Sequence, residues 1–116
     1  MVDLNEIYQT ADWKTEKHVP AIDIEKGDKS VKIKVAVGKE IAHPNTPEHH
    51  IRWIDVYFIP KDRKFALHVG KSEFNAHGDS ATKPAVSFVL NTEKSGTVLA
   101  TSYCNIHGLW RNSVEV

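Results

Sequence analysis

Val31-Lys32-Ile33-Lys34-Val35-Ala36-Val37 places an apolar residue at every second position and lysine or alanine between. That period of two is what a strand with one buried face requires, and it does not suit a helix. Lys26-Gly27-Asp28 supplies a turn before it. Downstream, Ile51 to Ile59 is a β-branched and aromatic run held between Pro47 and Pro60, a second strand. The polar turn Lys61-Asp62-Arg63-Lys64 leads into Phe65 to Val69, its expected hairpin partner. Val86 to Leu90 and Thr97 to Tyr103 flank Asn91-Thr92-Glu93-Lys94-Ser95-Gly96, a second expected hairpin with a longer loop. Ser113 to Val116 is a final short strand, and Asp3 with Glu6 resembles a capping box for a turn or two of helix over Leu4 to Thr10. Six or seven short strands with little helical periodicity predict an all-β, antiparallel β-sandwich.

No repeat, linker or low-complexity tract interrupts the chain, so residues 1–116 are expected to form one domain, long enough for its own core. Lys plus Arg and Asp plus Glu both number 15, giving a formal charge of zero. No basic surplus points to nucleic acid, and any pull on an anion must be local. No apolar run approaches the roughly 20 residues of a membrane span, and the N-terminus lacks the regions of a signal peptide. The expectation is a cytoplasmic protein in a reducing compartment, where a thiolate persists.

Cys104 is the only cysteine, and it stands three residues before His107 in Tyr103-Cys104-Asn105-Ile106-His107-Gly108-Leu109-Trp110. A lone cysteine closes neither a disulfide nor an all-cysteine zinc cage, but with imidazoles it can build an open metal site. His18 precedes the first clear strand, and His43 and His49 bracket Pro44-Asn45-Thr46-Pro47-Glu48 just ahead of Ile51. Loops at one end of a sandwich can bring such segments to one point. His50, His68 and His77 read as ordinary polar surface groups, with His50 aimed away from His49, and Trp13, Trp53 and Trp110 as core or rim residues.

Several chemistries could use this donor set. Zinc needs four tetrahedral ligands, fewer than the five donors available. A blue-copper electron-transfer site also takes one Cys and neighbouring His on a β-sandwich, though the usual axial Met is missing because the only methionine is Met1. A Cys-His catalytic dyad suits a C-x-x-H turn less well. Iron with four imidazoles and one thiolate uses all five and keeps one position open.

Glu16-Lys17-His18-Val19-Pro20, Lys39-Glu40-Ile41-Ala42-His43-Pro44-Asn45-Thr46-Pro47-Glu48-His49-His50-Ile51-Arg52-Trp53 and Cys104-Asn105-Ile106-His107-Gly108-Leu109-Trp110 together resemble, in order, the signature segments of superoxide reductase. The likeness is to the neelaredoxin type, the one-iron form related to desulfoferrodoxin, since the four cysteines of desulfoferrodoxin's additional iron domain are absent. The resemblance implies an immunoglobulin-like sandwich and an enzyme that reduces superoxide to hydrogen peroxide at a mononuclear non-haem iron (Fe2+/Fe3+). It implies His18, His43, His49 and His107 as equatorial ligands and Cys104 as the axial thiolate. Glu16 would take the sixth position in the oxidised form, and Lys17 would act beside the open position. It further implies rubredoxin or a similar electron donor and a homo-oligomer, commonly a homotetramer.

Overall fold

The computed structural model describes residues 1–116, and almost every regular element in it is a strand. In chain order these are a short helix α1 (Leu4–Ile7), then β1 (Ala21–Lys26), β2 (Val31–Ala36), β3 (Ile51–Pro60), β4 (Leu67–Glu73), β5 (Ala76–His77), β6 (Ser80–Ala81), β7 (Ala85–Leu90), β8 (Gly96–Cys104) and β9 (Gly108–Glu115). One antiparallel sheet has the order β1-β2-β7, the other β4-β3-β8-β9, and β5-β6 is a separate small ribbon. The seven strands of the two larger sheets form the antiparallel sandwich that the strand pattern predicts, immunoglobulin-like as the family resemblance implies.

The alternating stretch that opens the reading becomes β2, with Val31, Ile33 and Val35 buried and the lysines between them directed outward. Facing it are Ile54, Val56 and Phe58 of β3 and Val98, Ala100 and Cys104 of β8, in one apolar cluster. Each fully buried Val, Ile or Phe contributes roughly 1.5–3 kcal/mol by leaving water. A register shift between Ile51 and Trp53 interrupts β3 opposite β8. Such a bulge turns one residue over, so Ile51 and Ile54 both face the core although an odd number of positions separates them.

Five expectations are corrected. The helix covers only Leu4–Ile7, because Gln9 leaves it to bond the edge of β9, with Gln9 N–H to Leu109 C=O at 3.0 Å and Arg111 N–H to Gln9 C=O at 2.9 Å. β1 is an additional strand, half exposed and charged on its outer face, in a stretch expected to be irregular. The last strand begins at Gly108 rather than Ser113, and β4 runs over Leu67–Glu73 rather than Phe65 to Val69. The second hairpin does not form: β7 pairs with β2, β8 pairs with β3 and β9, and residues 91–95 cross from one sheet to the other. The roughly 10 Å between packed sheets is within reach of such a loop. No helix is long and apolar enough to cross a membrane.

Candidate metal centre

One end of the sandwich collects the start of β1, the end of β2, the start of β3, the end of β8 and the start of β9. His18 lies just ahead of β1, His43 in the loop after β2, His49 two residues before β3, Cys104 at the end of β8, and His107 in the turn that opens β9. Antiparallel pairing therefore brings together side chains that the sequence scatters. Cys104 faces Ile51 on one side and Gly108 on the other. The three-residue turn between Cys104 and Gly108 needs a left-handed residue to close, and Gly108 supplies it at φ 81°.

One donor atom from each of His18, His43, His49 and Cys104 lies within 4.8 Å of every other. Donors bonded to one ion at roughly 2.0–2.3 Å are at most about 4.6 Å apart. A small adjustment thus lets one ion touch all four. His107 lies outside that mutual set of four but borders it through Nδ1, 3.2 Å from His18 Nε2 and 3.8 Å from Cys104 Sγ. Neighbouring ring centroids are 4.8 Å (His18–His43), 4.7 Å (His43–His49), 5.0 Å (His49–His107) and 4.9 Å (His107–His18), while the diagonal His18–His49 is 6.5 Å. Four ligands of a tetrahedron would be equally spaced. These four rings stand instead as a quadrilateral, with the thiol sulfur against it.

The ring nitrogens facing inward have been left for something to bind. His43 Nε2 and His49 Nε2 are buried with no hydrogen-bond partner, an arrangement that ordinarily costs about 1–3 kcal/mol per group. His43 Nδ1–H donates to the Pro44 carbonyl at 2.6 Å, and His18 Nδ1–H donates to Glu16 Oε1 at 2.7 Å. Each bond holds the tautomer whose Nε2 lone pair faces the centre, as the outer partners of metal-bound histidines do. Burial lowers the affinity of His18, His43 and His49 for protons, His43 to about 4, so all three are neutral near pH 7. Cys104 is fully buried and its sulfur accepts the His107 backbone N–H at 3.4 Å.

Burial alone would raise the Glu16 carboxyl, but the His18 N–H and ring bonds and the positive charge of Lys17 outweigh it and hold the group below the usual range. Lys17 is half-buried next to His18, and its positive charge adds to burial in lowering His18, His43 and His49. Trp110 does more than fill the rim. Its ring stacks on His18 at 4.7 Å and 11°, and its Nε1–H donates to the His107 carbonyl at 3.3 Å. Buried Ser102 donates to the His18 carbonyl at 3.2 Å, and a Cβ on Gly38 (φ 79°) would come within 2.6 Å of the His43 backbone nitrogen. Ser102 carried no sequence signal, because support from across the fold leaves no local pattern.

His50 is buried rather than a surface group: its Nδ1 meets the Thr46 carbonyl at 3.0 Å and its Nε2 approaches Arg52 at 3.4 Å, outside the cluster. His68 is exposed and bound to Asp55, and His77 is exposed in the β5–β6 ribbon. Neither approaches the centre.

Residues 10–113 match the family described as Desulfoferrodoxin. The superoxide reductase of Thermococcus kodakarensis is 54% identical over 113 residues, which cover 97% of this chain and 98% of that one. The neelaredoxin of Megalodesulfovibrio gigas is 50% identical over 123 residues, covering 96% and 95%. Among solved structures, the reduced superoxide reductase (neelaredoxin) of Archaeoglobus fulgidus superposes with a TM-score of 0.90 at 49% identity, over 95% of this chain and 98% of that one.

Proposed function

The chain belongs to the desulfoferrodoxin family, and on that footing we propose that it is a one-iron superoxide reductase. We propose that residues 1–116 act as a single domain whose His18, His43, His49, His107 and Cys104 hold a mononuclear Fe2+/Fe3+. The observation that carries this reading is the quadrilateral of inward-facing imidazoles with two buried nitrogens unpartnered and one thiol against it. A blue-copper site would use two imidazoles and one thiolate and leave the other rings without purpose. Five donors leave a six-coordinate ion one position for substrate.

Bound iron supplies the electron: superoxide takes one electron and two protons and becomes hydrogen peroxide, with no dioxygen formed. The protein's part is to attract the anion, protect the lone pairs and deliver protons. With zero formal charge overall, attraction falls to Lys17, half-buried and adjacent in the chain to His18. Its Nζ–H also orders water for the first proton transfer. Glu16 orients His18 through Nδ1 and strengthens its basicity, and its carboxylate is the group the resemblance places at the sixth position in the oxidised form. The His107 N–H tempers the charge on Cys104 Sγ. Electrons return from rubredoxin or a similar donor docking at the Cys104–His107 turn, where Ile106 is 57% exposed. We extend the family's properties to a cytoplasmic homotetramer.

The test is to load the protein with ferrous iron, add superoxide, and measure peroxide and dioxygen. One peroxide per superoxide with no dioxygen is expected. Dioxygen release would mean dismutation, and a copper EPR signal without superoxide consumption would mean an electron carrier.

A further inference from the structure

Asn105 lies inside the Cys104–His107 turn, yet all of its polar contacts reach across to the strand of chain that carries His49. Its backbone N–H donates to the His50 carbonyl at 3.2 Å, and its Oδ1 accepts the His50 N–H at 2.9 Å. Its Nδ2–H donates to the Glu48 carbonyl at 3.0 Å. The residue thus engages the backbone on both sides of His49. It does so where the β3–β8 ladder has lost its register, just beyond the shift between Ile51 and Trp53. A side-chain amide, having one acceptor and one donor a fixed distance apart, can replace the missing ladder bonds. Alanine supplies neither, and the single oxygen of a hydroxyl cannot reach both partners.

Two parts of the centre need such a connection. Cys104 and His107 ride on the β8–β9 hairpin, whereas His43 and His49 ride on the loop before β3, where the only other regular pairing is the Thr46–His49 bridge. That bridge closes the loop on itself and does not reach the hairpin. Ring stacking between His49 and His107, 5.0 Å apart and tilted by 56°, is too weak to set their spacing.

We propose that Asn105 is a positioning residue that sets the distance between the thiolate half and the imidazole half of the centre. The proposal rests on the reading of these five side chains as ligands. The function of Asn105 is to hold His49 Nε2 in register with Cys104 Sγ before any metal arrives, so that binding does not have to order the loop.

Cobalt(II) is a suitable probe, because its thiolate charge-transfer band reports the bond to Cys104 and its affinity is measured on metal-free protein without turnover. Asn105→Ala should weaken cobalt binding by about tenfold, the low end of the effect of outer-shell loss, and shift or broaden the band. Asn105→Asp keeps the acceptor for the His50 N–H but loses the donor to Glu48, so it should fall between wild type and alanine in both readouts. Urea unfolding of the metal-free variants gives the purely structural effect. If both variants lose stability but bind cobalt with the wild-type affinity and band, Asn105 is only a structural residue and the proposal is wrong. Should the alanine variant not fold, the aspartate variant decides by the same two readouts. If wild-type protein itself binds cobalt with no thiolate band, it is the ligand assignment that fails.

Discussion

The two halves of the centre are built differently. Cys104 is the last residue of a nine-residue strand paired on both sides, and His107 follows it in a three-residue turn closed by Gly108. His18, His43 and His49 lie in segments without ladders. They are held one bond at a time: Ser102 on the His18 carbonyl, Glu16 and Pro44 on ring nitrogens, and the Thr46 N–H to His49 C=O pair at 2.9 Å. The comparison teaches where rigidity was placed. The donor with the most charge to control is fixed by the sheet, and the neutral donors are given lighter, adjustable supports.

The largest effect should follow from removing the sheet-borne donor. Cys104→Ser should abolish superoxide reduction and the thiolate charge-transfer colour of the oxidised iron-loaded protein, because the chain has no other cysteine to replace it. The change is nearly isosteric at a fully buried position, so far-UV circular dichroism should be unchanged. Colour that survives in this variant would place the sulfur outside the centre.

Acid should strain the loop-borne half first. Burial depresses His18, His43 and His49, and His43 falls from 6.5 to about 4. Between those values the unfolded chain binds more protons than the folded one, so metal-free stability is fully present above about pH 6.5 and declines as pH falls toward 4. For His43 alone about 2 kcal/mol of this is lost between pH 7 and pH 5. Urea midpoints compared at pH 7 and pH 5, above most carboxylate titration, measure it, and a flat profile would show the imidazoles solvated in the metal-free protein.

Much of this contrast can be read from residue order alone, and the unread part has a physical pattern. The thiol and His107 declare themselves through C-x-x-H spacing before a glycine, β2 through alternation and β3 through its β-branched and aromatic run between prolines, because period and composition are local properties. Partnership is not local. The stretch Val86 to Tyr103 reads as a hairpin, yet packing assigns β7 to β2 and β8 to β3. β1 was hidden because an edge strand with Asp23 and Glu25 outward carries as much charge as a loop. Trp110 and Ser102 support His18 from segments tens of residues away, through a stacked ring and a hydroxyl, and Gly38 supports His43 from five residues upstream through a close backbone approach. Each is a common residue type whose meaning comes from its neighbour in the fold.

A smaller effect should come from Lys17, which touches the comparison through charge rather than support. Lys17→Ala leaves the ring bonds of His18 to Glu16 and His43 to Pro44 in place, so metal content should hold, while the second-order rate with superoxide falls about tenfold. Raising the ionic strength should slow the wild type and hardly affect the variant, since screening acts on a charge the variant lacks. An unchanged rate and salt profile would assign Lys17 to the solvated surface.

Glu16→Gln should have the mildest consequence and divides the carboxylate's two duties. The amide oxygen can still accept from the His18 backbone N–H and from Nδ1–H, the two contacts Glu16 makes at 2.7 Å, so the ring keeps its orientation. What disappears is negative charge. His18 then loses a partner that raises its proton affinity and becomes a slightly poorer donor. Superoxide reduction should stay within a few-fold of wild type, whereas the oxidised spectrum should change because an amide binds a ferric ion far less well than a carboxylate. If activity vanished while iron stayed bound, the charge on Glu16 would be required for the chemistry itself, and the light support of the loop-borne half would be a catalytic element rather than a tether.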